Sequence, residues 1–445
     1  MDTPVYDFVR AYAAAPTVRL HMPGHKGRGP LGCEGLDITE VHGADALYEA
    51  AGILARSEDN AASLFGSGRT LYSTEGSSQC IRAMLHLALM HRRAGAPPVI
   101  AAARNVHRAF VYAAALLDFE VAWLWPEERR SLCSCPVTPE GLERALAGLE
   151  APPAAVYLTS PDYLGGVQDI AALVEVAHRH GALLLVDNAH GAYLHFLPSP
   201  CHPLDLGADL CCDSAHKTLP VLTGGAYLHL SRRVAAEMGG NAKTAMALFG
   251  STSPSYLTLA SLDRCNRTLA ENYPARLAET AAALEALRAR LRALGWQVEA
   301  SDPLRLTLSA PAGTTGTALA GRLRAAGVEC EYADEDFLVC MVTPENTAGE
   351  LEQLSAALGP CPAGPAPRPS LPEPRGERVC SIRQAVFSPH ETVAAEKALG
   401  RVCASPTVAC PPAIPIAVSG ERITPEAVEL FRRYGVEQIE AVKDL

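Results

Sequence analysis

The sequence predicts an α/β protein, with a large domain on a mostly parallel sheet, a smaller α+β domain and a C-terminal α+β unit. Two patterns and one break in composition carry this expectation. Between residues 95 and 230, short apolar runs alternate with helix-length stretches: PPVIAAA (97–103), EVAWLW (120–125), AAVYLTS (154–160), ALLLVD (182–187), ADLCCD (208–213) and GAYLHL (225–230). Continuous apolar runs spaced by crossover-length segments suit strands that are buried on both faces. IAALVEVAHRHG (170–181) has helical spacing and ends in His178, Arg179, His180 and then Gly181, a C-terminal stop. The second pattern starts at Pro274, which opens a helix with Leu277, Leu284, Leu287, Leu291 and Leu294 on one side and Gly295 at its close. Strand-like LRLTLSA (304–310) and helical TALAGRLRAAG (317–327) follow it. The break is CPAGPAPRPSLPEPRGE (361–377), whose prolines predict a stiff extended linker. The expected divisions are an N-terminal segment 1–60, a large domain 61–258, a small domain 259–360, the linker 361–377 and a C-terminal unit 378–445.

The composition narrows the function. With 445 residues, 48% of them hydrophobic and 20% charged, the chain can bury a large core. Its 38 Lys and Arg against 49 Asp and Glu give a net charge of −11 with no basic run, so no nucleic-acid partner is expected. The first twenty residues lack the layout of a secretory signal, and no segment approaches about 20 consecutive apolar residues. A cytoplasmic protein without membrane attachment is the expectation. Fourteen cysteines are scattered without a C-x-x-C, which reads as buried thiols, with no metal site expected. G-x-G-x-x-G and G-x-x-x-x-G-K-[ST] are both missing, so the nucleotide-binding phosphate loops are unsupported.

Four segments have the residue types of a single chemistry. In Asp213-Ser214-Ala215-His216-Lys217-Thr218, a lysine flanked by hydroxyls and a histidine follows a strand, where it could form a Schiff base with an aldehyde cofactor. By itself it reads as a solvated surface lysine, which is what most lysines are. Asp187, at the end of ALLLVD, could face a pyridinium nitrogen or simply cap the next turn. Tyr72-Ser73-Thr74-Glu75-Gly76-Ser77-Ser78 leads into a helix and could seat a phosphate on free backbone amides, or only cap it. His107, after PPVIAAA, could lay its ring on a flat cofactor or stand in solvent. The order of phosphate seat, stacking ring, pyridinium partner and lysine matches pyridoxal-phosphate enzymes.

The chain also carries Leu20-His21-Met22-Pro23-Gly24-His25-Lys26-Gly27, Asp37-Ile38-Thr39-Glu40-Val41 and Gly43-Ala44-Asp45-Ala46-Leu47. Added to Ser73-Thr74-Glu75-Gly76, Ser160-Pro161-Asp162-Tyr163, Asp187-Asn188-Ala189-His190-Gly191, Ser214 to Thr218 and Thr252-Ser253-Pro254-Ser255-Tyr256, these resemble the pyridoxal-phosphate-dependent ornithine/lysine/arginine decarboxylase family. The resemblance extends to Ser388-Pro389-His390-Glu391, Gly400-Arg401 and Pro411-Pro412-Ala413-Ile414-Pro415, so it covers nearly the whole chain in the manner of the short members. Asn188 stands where short members often have an acidic residue, Asp162 where longer members have threonine, and Ala413 where the family has glycine.

The resemblance implies an aspartate-aminotransferase-like large domain, pyridoxal phosphate as cofactor, and decarboxylation of arginine, lysine or ornithine in polyamine-related metabolism. It implies that Lys217 holds the cofactor, Asp187 pairs with its ring nitrogen and His107 stacks on it. Ser73, Thr74, Glu75, Gly76 and Ser77 correspond to the phosphate side, with Ser214 and His216 adding contacts and His190 nearby. Lys217 or His216 would return the proton. Ser251 or Thr252 resembles the hydroxyl given to a neighbouring subunit's phosphate, implying a homodimer with shared sites. Asp45, Glu75 and Glu391 are candidate carboxylates for the distal cation of the substrate. The alternatives are an aminotransferase, for which Arg305 could clamp the α-carboxylate, another lyase, or a cofactor-binding protein without turnover.

Overall fold

A computed structural model describes residues 1–364, 366, 370–408 and 413–443. Pro411 and Pro412 of the proline cluster lie outside the described residues. The principal strands are β1 (Arg69–Ser73), β2 (Val99–Ala103), β3 (Glu120–Leu124), β4 (Ala155–Thr159), β5 (Leu183–Asp187), β6 (Leu210–Asp213), β7 (Ala226–Leu230), β8 (Arg305–Ser309), β9 (Tyr332–Ala333) and β10 (Phe337–Met341). The six apolar runs picked out between 95 and 230 are all strands. They run mostly parallel, β2 with β3 and β4, and β5 with β6. The chain divides into two compact units, one made of residues 1–95 and 170–277, the other of 96–169 and 278–445.

In the first unit the strand order is β1-β7-β6-β5. β7 runs antiparallel to both β6 and β1, and β1 is a strand that the apolar pattern did not mark. RTLYS has only Leu71 and Tyr72 as strongly apolar residues, and its pairing with β7 is what makes it a strand. The register sets the chemistry: Ser73 lies opposite Ala226, Tyr227 opposite Asp213, and Cys212 opposite Asp187. The ends of β1, β5 and β6 and the start of β7 therefore share one edge of this sheet, where open α/β sheets place their ligands.

Two helices pack on this sheet, α2 (Ile53–Leu64) on β1 and α3 (Ser77–Met90) on β6 and β7, while α1 (Pro4–Ala14) packs on α2 and on the helix Tyr256–Glu271. Nine positions of α3 are buried, among them Cys80, Ile81, Met84, Leu85 and Leu87, so it is covered nearly all round. The start of α1 is held by Asp263, whose Oδ2 accepts the amides of Val5 at 2.9 Å and Tyr6 at 2.8 Å, two donors with no partner inside the helix.

In the second unit β4-β2-β3 form a parallel group and β8-β10-β9 an antiparallel one. The leucine-striped helix is present as Tyr273–Ala293, and Leu284, Leu287 and Leu291 pack with Trp296, Leu306, Leu308, Leu319 and Leu323. Ile416, Leu430, Phe431, Ile439 and Ala441 of the C-terminal segment pack into a second cluster together with Leu132 and Leu371.

Arg305, the arginine that an aminotransferase would need to clamp a carboxylate, is buried in this unit at 1% exposure. Its Nη1 donates to Tyr163 O at 2.8 Å, and its guanidinium lies 3.4 Å from the equally buried Asp302. Arg305→Met is expected to lower the unfolding free energy by about 3 kcal/mol, because it strands a buried carboxylate. Urea denaturation measures this. A raised substrate KM with unchanged stability would instead restore the clamp.

Candidate active site

The loop after β1 is shaped from inside. Ser73 is fully buried, donates to Gln79 Oε1 at 2.6 Å and accepts the Glu75 amide at 3.0 Å. Gln79 in turn donates to Tyr48 Oη and Met246 O, both at 2.8 Å. Ser73 thus braces the loop rather than lining its surface. Gly76 has φ +72° at the N-cap of α3, and a Cβ there would meet nothing within 4 Å, so open space faces the helix start. The first amides of α3 have no intrahelical acceptor, and the helix dipole adds partial positive charge at that end. Ser214 Oγ donates to Ser77 Oγ at 2.8 Å, bringing a second hydroxyl to the same place.

A close backbone approach completes the cradle. The Gly76 amide donates to Gly224 O at 2.7 Å, and a Cβ on Gly224 would sit 2.7 Å from Thr74 O, with φ at +94°. Only glycine fits there. Glu75 is exposed and accepts the Ser251 amide. Thr252 is exposed on that same loop.

Asp187 ends β5 at 2% exposure. Its Oδ1 accepts the Ala189 amide at 3.3 Å and the Cys212 thiol at 3.7 Å. Burial, with the charge of Asp187 adding to it, pushes the Cys212 thiol well up, so it stays a proton donor to that carboxylate. Lys217 lies on a single helical turn, Ala215–Thr218, directly after β6. Its Nζ is 3.1 Å from His190 Nε2. An ammonium has only donors, so His190 Nε2 is the acceptor. His216 is half-buried and its amide is tied to Gly225 O at 3.1 Å.

The first unit therefore gathers Ser73 to Ser77, Asp187, His190, Ser214, His216, Lys217 and Thr252. His107 belongs to the second unit, where it is the N-cap of the helix Arg108–Leu117, its Nδ1 accepting the Ala109 amide at 3.2 Å. Among the three distal-cation candidates, Asp45 is fully engaged, accepting the amides of Ala46, Ala51, Gly52 and Leu54 at 2.8–3.1 Å. Glu391 is paired with Arg401 in the second unit.

Sequence reasoning missed the group beneath this site. Asp213 is fully buried and accepts from Asn188 Nδ2 at 2.6 Å, His202 Nε2 at 3.0 Å and His229 Nε2 at 3.2 Å. The one available signal was His229, a polar residue inside the apolar run GAYLHL. His202 lies in a loop 11 residues before Asp213, a distance that periodicity does not read.

This cluster sets an acid limit on stability. Burial lowers the His229 imidazole below its usual range, so as pH falls the unfolded chain takes up this proton first, from about pH 6.5 downward, and the folded chain only at lower pH. Its contribution is full above about pH 6.5 and is lost as pH falls from there through the folded value. Burial alone would raise Asp213, but His202 and His229 outweigh it and hold the carboxyl well below the usual range. Its contribution is full above about pH 4 and is lost below. Urea midpoints are expected to fall from pH 7 to 5 and more steeply below 4. A midpoint level across this range would remove the assignment.

Comparison with known proteins agrees with the geometry. The family model for the major domain of Orn/Lys/Arg decarboxylases matches residues 3–304. An arginine decarboxylase of Bacillus subtilis is 28% identical over 96% of this chain and 92% of its own length, and an uncharacterized protein of the same organism, YaaO, is 29% identical over 97% and 94%. The crystal structure of the Francisella novicida lysine decarboxylase LdcF superposes with a TM-score of 0.80 at 16% identity, over 99% of this chain and 81% of that one, which shows a shared fold. A lysine, an acid and a helix start at one sheet edge, in a chain that matches this family model over two-thirds of its length, make the protein a member of the Orn/Lys/Arg decarboxylase family and an amino-acid decarboxylase.

Proposed function

We propose that the chain uses pyridoxal phosphate to decarboxylate a basic amino acid, with arginine the first candidate, giving the amine and carbon dioxide in polyamine-related metabolism. The observation that carries this reading is Lys217 within 3.1 Å of His190, one strand away from a buried Asp187, beside a helix start with open space in front of Gly76. An amine, an acid and an anion seat are the three groups that an aldehyde-bearing pyridine phosphate needs, so the residues present fit it. The cofactor supplies an electron-accepting ring that stabilises the carbanion left when carbon dioxide departs.

The chain's own residues supply the rest. Lys217 Nζ would hold the aldehyde carbon, Asp187 would keep the ring nitrogen protonated, and the start of α3 with Ser77 and Ser214 would take the phosphate. His190 Nε2 accepts from Lys217 and offers a route for its proton, and Lys217 or His216 would return a proton to the α-carbon. His107 would cover the ring face. Glu75, exposed at the rim, is the remaining first-unit candidate for a distal ammonium or guanidinium. We place the protein in the cytoplasm as a homodimer in which Ser251 or Thr252 serves the neighbouring site. No helix among the described residues is long and apolar enough to cross a membrane.

The test is carbon dioxide release from protein supplied with pyridoxal phosphate and offered arginine, lysine and ornithine separately. Release from one of them establishes the activity and its substrate. Silence across all three, with the cofactor attached to Lys217, would overturn it.

A further inference from the structure

Asp213 has neighbours that could be taken for a cation site, since His202, Cys211 and Asp213 each bring a donor atom within 4.8 Å of the others, all buried. The hydrogen bonding argues otherwise. His202 Nδ1 accepts the Leu204 amide at 3.3 Å, so the ring proton sits on Nε2, which points at Asp213 and has no lone pair for a metal. His229 fits the same scheme, with Thr70 Oγ1 2.8 Å from its Nδ1 and its Nε2 toward Asp213. Two imidazole N–H groups and the Asn188 amide converge on one carboxylate.

The geometry points to Asp213 as a positioning residue, which through Asn188 fixes the segment from Asp187 to His190 and so aims both of the groups that serve Lys217. The division of labour within the carboxylate supports this. Oδ2 takes the nearer contacts of both histidines, whereas Oδ1 takes Asn188 Nδ2 at 2.6 Å, with His202 more distant at 3.3 Å. Asn188 is tied to the same strand a second time, by its amide to Cys212 O at 2.9 Å. The residue that follows Asp187 is thus clamped to β6 by main chain and side chain, and β6 leads directly into Ser214 and Lys217. The clamp and both of its ends lie inside one compact unit.

The arrangement predicts an exchange that restores function. Asn188→Asp alone sets two buried carboxylates against each other at hydrogen-bond distance. Adding Asp213→Asn moves the charge across the same bond: the new amide donates to position 188 while its carbonyl oxygen still accepts both histidines. The positioning role rests on the pyridoxal-phosphate reading, but the pairing itself does not, so two measurements separate them.

In chain stripped of cofactor, the thermal midpoint should fall in Asn188→Asp and recover in the double variant. No recovery would overturn the pairing whatever the cofactor is. In cofactor-loaded chain, Asn188→Asp should weaken pyridoxal phosphate binding about tenfold or more and lower kcat with little change in KM, with both recovering in the double variant. Unchanged binding and kcat in folded Asn188→Asp, or a double variant that regains stability without affinity, would overturn the positioning role. A native chain that takes up no cofactor at Lys217 would defeat the proposed function, while the cofactor-free measurement still decides the pairing.

Discussion

Replacing Lys217 with alanine is expected to remove carbon dioxide release by about a thousandfold or more, because one side chain would lose two tasks. The amine that would hold the cofactor aldehyde is gone, and so is the proton carrier next to His190 Nε2, 3.1 Å from Lys217 Nζ. The fold should survive. The turn Ala215–Thr218 is kept by the Lys217 amide to Ser214 O at 3.0 Å and the Leu219 amide to Ala215 O at 2.8 Å, and alanine retains both. Lys217→Ala should therefore unfold within about 1 kcal/mol of the native chain in urea, since the change is of a half-buried side chain. The absorbance that marks cofactor attached to a lysine should vanish with the activity. Full turnover in this variant would refute the central assignment.

Asp187→Ala has the second largest expected effect, and its pattern differs. Asp187 is buried at the end of β5 and takes the Cys212 thiol and the Ala189 amide. Its proposed task would be to keep the ring nitrogen of bound pyridoxal phosphate protonated, and with it the ring's capacity to accept electrons. kcat should then fall by about a hundredfold to a thousandfold, the scale seen when a preorganised electrostatic partner is removed. Cofactor affinity should fall by less, because Lys217 and the phosphate seat remain. Steady-state kinetics at saturating cofactor separate the two effects. Asp187→Asn keeps the hydrogen-bond acceptor without the charge, so it should recover cofactor affinity more than turnover.

Much of this was legible before any coordinates. ALLLVD and ADLCCD announced strands because continuous apolar runs of that length bury both faces. Lys217, by itself read as a solvated lysine, became a candidate only through its order with Ser73 to Ser78, His107 and Asp187, and the resemblance through His21 to Lys26 named the family. The leucines from Leu277 to Leu294 predicted their helix because helical spacing repeats over five turns. β1 was not legible, since Arg69-Thr70-Leu71-Tyr72-Ser73 becomes a strand only through antiparallel pairing with β7, more than 150 residues later.

The individual site residues divide along the same line. Chemical type is local, so the sequence alone determined that an amine, an acid, a glycine-serine helix start and several histidines exist, and in what order. Direction and pairing are not local. Only the folded structure decided that Ser73 turns inward to Gln79, that Asp45 spends itself on four backbone amides, and that Arg305 is buried beside Asp302. It alone brought His202 and His229 onto Asp213. The physical reason is that a hydrogen bond acts over about 3 Å whereas the partners of Asp213 stand 11 to 25 residues from it, a separation closed by the folded chain and by no pattern in the sequence.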